Sequence, residues 1–171
     1  VSLAGRRRES AAAGAVGGAV GGAVVGAVSA AVAMLPDVPS PTTSTDLRVR
    51  FAETDQMGVV HHSVYPVWFE AGRVEWMRER SLSYRELEDS GISLAVARLE
   101  VSYRAPARFD DVITVESTLV SARSRQVVFE YRLTVRPDGV LVATGRSEHV
   151  PTDRSGRAVR LPGAWLDPLV P

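Results

Sequence analysis

Length, charge and cysteine content narrow the range of functions before any motif is considered. The chain has 171 residues and a formal net charge of zero, from 20 basic and 20 acidic residues. This length suits one domain with a substantial core. A balanced charge provides no general attraction for nucleic acid or an anionic membrane. Because there is no cysteine and there are only three histidines, disulfides and thiol nucleophiles are excluded, and we expect neither a metal nor a cofactor.

The start of the chain differs in composition from the rest. Residues 11–33 are almost entirely Ala, Gly and Val and follow a run of three arginines. Three interpretations stay open: an incidental or disordered extension, an export signal, or a membrane anchor with glycines four residues apart. The segment has no Leu, Ile or Phe, which weighs against the last two. We therefore expect a cytoplasmic protein in which residues 1–45 are an extension ending in a Pro/Ser/Thr-rich linker at 36–45.

The folded part of the sequence begins, by its pattern, at residue 46. Apolar and polar residues alternate up to Phe51, and this period of two predicts a half-buried strand that leads the chain to Asp55. Aromatic residues then recur at helical spacing. They predict a long helix from an N-cap at Ser63 to about residue 80.

A short second helix and four strands complete the predicted fold. Ser83 opens a capping-box pattern, and Gly91 is suited to end the helix that follows. Alternating and β-branched residues predict strands at about residues 92–104, 112–122, 125–136 and 140–150. The fold class is therefore α+β, with a five-stranded antiparallel sheet wrapped around one long central helix. We assign residues 46–152 to this domain and 153–171 to an irregular tail.

Asp55 is the candidate catalytic residue. The chain between it and Ser63 turns into the long helix, whose first N–H groups have no partner inside the helix. Such amides form an anion site and would stabilise the charge that develops on a thioester carbonyl oxygen. Asp55 would then attack the carbonyl carbon or activate a water molecule. The competing interpretation is that Asp55 only closes an Asx turn or caps the helix.

The two adjacent histidines and the first helical aromatics are candidates for contacts with substrate. His61 and His62 either act together near neutral pH or point in different directions, as neighbours in sequence do. We favour a role for the His62 backbone over one for its ring. Tyr65 and Trp68 belong either to the core or to an acyl pocket.

Charged residues further along the chain allow two interpretations each. Glu70 is either a second acid or base, or the partner of Arg73 or of an arginine across an interface. Arg123 and Arg125 stand at a predicted strand connection, where they either hold phosphates or lie in solvent as ordinary surface charges. The sequence has no phosphate-binding glycine loop, GxSxG or HExxH motif, so it gives no support to nucleotide hydrolysis, serine-hydrolase chemistry or zinc proteolysis.

Two blocks of the sequence resemble a known family. DQMGVVHHSVY, at residues 55–65, is similar to the D-x-x-G-x-V-x-(H/Y/N)-x-x-Y motif of hotdog-fold acyl-CoA thioesterases. VSYRAPARFDDVITVES, at residues 101–117, is similar to a second block of the same family. The resemblance is to the 4-hydroxybenzoyl-CoA thioesterase type and its Tol-Pal-associated relatives, and it extends over about residues 47–151.

The resemblance implies roles for individual residues. Asp55 takes the position of the catalytic aspartate, Gly58 that of the turn glycine, and His62 that of the residue whose backbone N–H polarises the thioester carbonyl. Arg123 and Arg125 take positions in a basic cluster that contacts coenzyme A phosphates, with a serine interrupting the run.

The resemblance also implies an activity and partners. The expected reaction is hydrolysis of an acyl-CoA, or of an acyl carrier protein thioester, to a free acid and a thiol. A homodimer or homotetramer with active sites at the dimer interface is expected, and nucleic acid is not an expected partner. Two alternatives stay open: a polyketide- or carrier-linked thioesterase, and a module that binds acyl-CoA without catalysis.

Overall fold

A computed structural model describes residues 42–169 of the chain, and these form five strands, three α-helices and two short 3₁₀ turns. The strands are β1 (Thr42–Arg48), β2 (Ile92–Tyr103), β3 (Val112–Arg123), β4 (Gln126–Arg136) and β5 (Val140–Asp153). The helices are α1 (Val64–Arg78), α2 (Tyr84–Asp89) and α3 (Gly163–Leu166). The 3₁₀ turns are Phe51–Glu53 and Asp167–Leu169. Predicted strands two to five and both predicted helices are present within three residues of their expected limits.

The five strands form one sheet in the order β1-β3-β4-β5-β2, and every neighbouring pair is antiparallel. Helix α1 packs against β1 and β2, the two edge strands, as well as against β3. A helix that touches both edges of a sheet requires the sheet to curve around it. The predicted hotdog arrangement, with an antiparallel sheet wrapped around one central helix, is confirmed.

Helix α1 lies close to the sheet because two glycines remove side-chain volume between them. A Cβ atom on Gly72 of α1 would overlap with Ser117 Oγ and lie 2.8 Å from Val115 Cγ1, both on β3. A Cβ atom on Gly145 of β5 would overlap with the ring of Phe69 on α1. That ring instead stacks on Tyr131, with a centroid distance of 4.3 Å and an interplanar angle of 3°.

The first strand differs from the prediction at both ends. It begins at Thr42, inside the expected linker, because residues 42–48 pair in register with β3. It also ends at Arg48 and does not continue to Phe51, which lies in a 3₁₀ turn and is 77% exposed. The reason is local: the Arg50 N–H and guanidinium both bond to the carboxylate of Glu53, three residues on, and this closes the chain into a turn. The predicted domain start at residue 46 therefore falls inside a strand.

The end of the chain is more ordered than the irregular tail expected at residues 153–171. Strand β5 extends to Asp153, and α3 follows near the end of the described chain. Leu161 and Leu169 are buried in the core, and the Leu161 N–H donates to the Ser124 carbonyl. Within residues 42–169 no helix is both long and apolar enough to cross a membrane. The expectations for residues 11–33 lie outside the described part of the chain.

We expect Gly72→Ala to lower the free energy of unfolding by about 1–3 kcal/mol, because the added methyl group must displace Val115 or move α1 away from the sheet. Urea denaturation followed by circular dichroism measures this change. Gly163→Ala is the matched control, since its Cβ would meet nothing closer than Asp167 at 3.7 Å. An unchanged midpoint for Gly72→Ala would contradict the close packing described here.

Candidate active site

Asp55 lies in a tight turn between the first 3₁₀ segment and α1. Its Oδ1 accepts a hydrogen bond from the Met57 N–H at 2.8 Å, and its carbonyl accepts one from the Gly58 N–H at 3.0 Å. Gly58 has φ of +70°, a conformation that favours glycine. The Asx turn that the sequence allowed is therefore present. It uses only one carboxylate oxygen, and Oδ2 has no hydrogen bond within the described residues.

The chain enters α1 through the two histidines. The His61 N–H donates to the Glu53 carbonyl at 2.9 Å, and the His61 carbonyl accepts from the Val64 N–H at 3.0 Å. Ser63 does not cap the helix with its side chain, because its hydroxyl bonds to His61 Nδ1 at 2.8 Å. The two imidazoles are tilted by 39° relative to each other, with centroids 4.0 Å apart. Among residues 42–169, no hydrogen bond uses the His62 N–H.

Asp55 and His62 line one open cleft, with a volume of about 320 Å³. Tyr65 forms part of its wall, and Tyr103 and Arg104, from the end of β2, form the opposite side. The Tyr103 hydroxyl donates to the His62 carbonyl at 3.0 Å, and its ring meets Tyr65 edge to face at 5.0 Å. The end of β2 thereby holds the start of α1. Two residues that line the cleft thus have a group without a partner in the described chain, a carboxylate oxygen of Asp55 and the backbone N–H of His62, and acyl transfer requires groups of these two kinds.

Glu53 connects the segments that form the site. Its carboxylate accepts bonds from the Arg50 backbone and guanidinium and lies 3.4 Å from Trp68 Nε1, while its carbonyl holds His61. Burial raises the pKa of Glu53, but the bonds from Arg50 and Trp68 outweigh it, and the pKa lies below its ordinary value. Trp68 is thus a buried core residue that supports Glu53, and it does not line the cleft.

Other predicted substrate contacts are placed differently. Gly58 shapes the turn, and its carbonyl lies 3.4 Å from Arg108 Nη1. His61 is not one of the residues that line the cleft. Arg123 and Arg125 stand at the β3–β4 connection, whereas the opposite end of β3 adjoins the Asp55 region, so one chain does not bring them to the cleft.

Sequence reasoning missed Tyr103 and Arg104 as site residues. Both lie in the second quoted block, at the predicted end of a strand, and a strand end beside a helix start is a common place for a site. The sequence did contain one indication of these residues. The two family-like blocks, at residues 55–65 and 101–117, each contribute one side of the cleft. Nothing in the local pattern indicated that β2 would lie beside the first turn of α1.

A hotdog sheet around a central helix is an architecture that this chain shares with thioester hydrolases. Residues 49–169 match the Thioesterase-like superfamily, and the chain belongs to that superfamily. The family resemblance read from residues 55–65 and 101–117 is confirmed.

Individual relatives agree with this assignment. The Acyl-CoA thioester hydrolase YbgC of Escherichia coli O6:H1 is 33% identical over 87 residues, which cover 51% of this chain and 65% of that protein. The crystal structure of protein TT1821 from Thermus thermophilus has a TM-score of 0.71 and 41% identity, covering 75% of this chain and 95% of that one. The DHNA-CoA thioesterase of Staphylococcus aureus has a TM-score of 0.69 and 27% identity, covering 74% and 84% of the two chains.

We expect Glu53→Gln to lower the free energy of unfolding by about 1 kcal/mol at pH 7, because it removes the charge that Arg50 and Trp68 stabilise. A carboxylate whose pKa is lower in the folded state stabilises the fold at pH values above its unfolded-state pKa. This stabilisation is lost as the pH falls through its folded-state pKa. The difference in unfolding free energy between wild type and variant should therefore shrink below about pH 4.5, the ordinary pKa of a glutamate. Denaturation at a series of pH values measures it.

Glu88→Gln, on the exposed surface of α2, is the matched control and should leave stability unchanged across the same range. A difference between wild type and Glu53→Gln that stays constant from pH 7 to pH 3 would contradict the role of the Glu53 charge.

Proposed function

We propose that the protein hydrolyses acyl-CoA thioesters to a free acid and coenzyme A, with Asp55 as the reacting carboxylate. The observation that carries this proposal is that Asp55 and His62 line the same cleft, and that Asp55 Oδ2 and the His62 N–H have no hydrogen-bond partner within the described residues. Membership of the Thioesterase-like superfamily supports the reaction type, and the name of the Escherichia coli relative supports acyl-CoA as the substrate.

The proposed mechanism begins with the thioester carbonyl oxygen accepting a hydrogen bond from the His62 N–H. This donor stabilises the negative charge that forms on the oxygen when the carbonyl carbon is attacked. Asp55 either attacks that carbon itself, giving an anhydride that water then opens, or removes a proton from an attacking water. In both cases the C–S bond breaks, and the thiolate of coenzyme A leaves and takes up a proton. The two routes differ in whether oxygen from water enters the Asp55 carboxylate during a single turnover.

Arg104 is the cation that the cleft offers to the phosphates of coenzyme A. It lines the same cleft as Asp55, whereas Arg108, four residues further along the chain, contacts the Gly58 carbonyl. We propose that Arg123 and Arg125 take part only if a second copy of the chain brings them to this cleft. A homodimer is supported by β2, an edge strand whose outer side has no strand partner in the described chain.

We expect Asp55→Asn to lower kcat by about 100-fold or more, because the amide neither attacks the carbonyl nor removes a proton from water. Asparagine keeps an oxygen that accepts the Met57 N–H, so the turn itself should persist. Thiol release from a panel of acyl-CoA and acyl carrier protein substrates measures the loss. Asp138→Asn, in the exposed β4–β5 turn, is the control and should keep full activity. If Asp55→Asn hydrolysed these substrates at the wild-type rate, the proposed role of Asp55 would be wrong.

We expect Arg104→Gln to raise KM for acyl-CoA about tenfold with little change in kcat, because a lost charged contact to a phosphate weakens binding by roughly 1.4 kcal/mol. The same variant should not alter KM for an acyl-pantetheine substrate, which has no nucleotide phosphates. The double variant Arg123→Gln/Arg125→Gln tests the alternative that these arginines hold the phosphates. A rise in KM seen only in the double variant would show that Arg123 and Arg125, at the far end of β3, bind the phosphates.

A further inference from the structure

A second cavity lies between α1 and the sheet, away from the Asp55 cleft. Its volume is about 160 Å³. Helix α1 and strands β2, β4 and β5 all contribute to its walls. The residues that matter for its chemistry are Val67, Glu70, Arg73, Leu99, Tyr131 and His149.

Arg73 is the unusual member of this cavity. Its side chain is only 5% exposed, and its Nη1 is buried without a hydrogen-bond partner. The Tyr84 ring packs against it, with its centroid 5.5 Å from the guanidinium carbon, and the guanidinium also lies beside the Tyr131 hydroxyl, where its charge offsets part of the rise in pKa that burial causes. No carboxylate in residues 42–169 forms an ion pair with Arg73, so the predicted pairing with Glu70 does not occur within one chain. A buried charge without a counter-charge is costly, and an anionic ligand in the cavity would offset that cost.

Apart from Arg73 and Glu70, the polar side chains that line the cavity are neutral. The Tyr131 hydroxyl and Ser147 Oγ are 2.8 Å apart, and Ser147 Oγ lies 2.7 Å from His149 Nε2. All three side chains are at least nine-tenths buried. Burial and the nearby Arg73 charge lower the pKa of His149 to about 4, so its ring is neutral at pH 7. The interior of the cavity therefore has one positive charge, from Arg73. Glu70 stands at the solvent-exposed side.

The cavity and the Asp55 cleft share their two supporting elements. Tyr65 and Tyr103 line the cleft, and Val67 and Leu99, further along the same helix and strand, line the cavity. Val67 and Leu99 are 55% and 40% exposed and give this route an apolar surface. Arg73 lies nine residues after the first residue of α1, which is about 14 Å along the helix axis. An acyl chain that starts at His62 and runs over Val67 and Leu99 would point its far end towards Arg73.

We propose that this cavity binds a carboxylate at the far end of the acyl group, so that the preferred substrates are thioesters of dicarboxylic acids. The inference rests on the proposed thioesterase activity. The apolar surface of Val67 and Leu99 contacts the methylene chain. The guanidinium of Arg73 supplies paired N–H donors and a positive charge for the terminal carboxylate. A methyl group at the same position would leave the buried charge without a partner. Selectivity therefore follows from the cost of an unpaired group as well as from the new contact.

The test compares acyl-CoA substrates of equal length that end in a methyl group or in a carboxylate, over a series of chain lengths. For at least one length, wild type should favour the carboxylate in kcat/KM by about tenfold or more. Arg73→Met keeps the aliphatic stem and removes the charge, so it should abolish this preference while hydrolysis of methyl-ended substrates is retained. Arg80→Met is the matched control, because Arg80 also lies over an aromatic ring, that of Trp76, but does not line the cavity.

Two results would overturn the proposal. The first is a wild-type enzyme that hydrolyses methyl-ended substrates as well as carboxylate-ended ones at every length. The second is an Arg73→Met variant in which kcat/KM falls equally for both, which would indicate a purely structural role.

A binding experiment separates this proposal from the proposed activity. Free dicarboxylic acids, such as the saturated series from four to ten carbons, are titrated into the full chain while the His149 ring signals are followed by NMR. Saturable shifts in wild type that are absent in Arg73→Met would support the cavity even if no acyl-CoA were hydrolysed. Absence of saturable shifts with every acid in the series would overturn the cavity assignment, whatever the hydrolysis assay gave.

Discussion

The close approach of α1 to the sheet is the constraint on which the rest of the structure depends. Gly72 meets Val115 and Ser117 without a side chain of its own, and Gly145 leaves room for the ring of Phe69. With the helix held at this depth, the sheet curves until both of its edges touch α1. The edge strand β2 then passes beside the first turn of the helix, and the cleft forms between them. Packing in the core thus decides where an anion-binding helix start meets a strand end.

The site itself is held by short polar connections between segments that are distant in sequence. Glu53 binds Arg50 and Trp68 through its carboxylate and His61 through its carbonyl, and Tyr103 binds the His62 carbonyl from β2. These bonds occupy the groups around the cleft while the His62 N–H keeps no partner in the described chain. Preorganised donors of this kind need little rearrangement when charge develops on a substrate. The Asx turn that was the structural alternative for Asp55 uses one carboxylate oxygen and leaves the second without a hydrogen bond in the described chain.

Much of the fold followed from local patterns, and the exceptions have physical reasons. Strands with alternating residues and the aromatic helix were predicted close to their limits because each buries one face. The first strand was misplaced because Thr42 and its neighbours have little apolar content, and only pairing with β3 makes them a strand. Trp68 could be core or pocket by sequence, and its contact with Glu53 decided for the core. Arg73 was expected to pair with Glu70, but the helix turns its guanidinium inward, towards Tyr131 and His149.

By itself, the sequence determined the fold class, the family, the position of Asp55 and the glycine turn that follows it. These depend on residue type and on spacing within one segment, where the geometry of a strand, turn or helix is nearly fixed. Only the tertiary structure decided that Tyr103 and Arg104 complete the cleft, that Arg123 and Arg125 lie far from it, and that Arg73 is buried without a counter-charge. Such facts arise where distant segments meet, and spacing along the chain does not encode the distance between them.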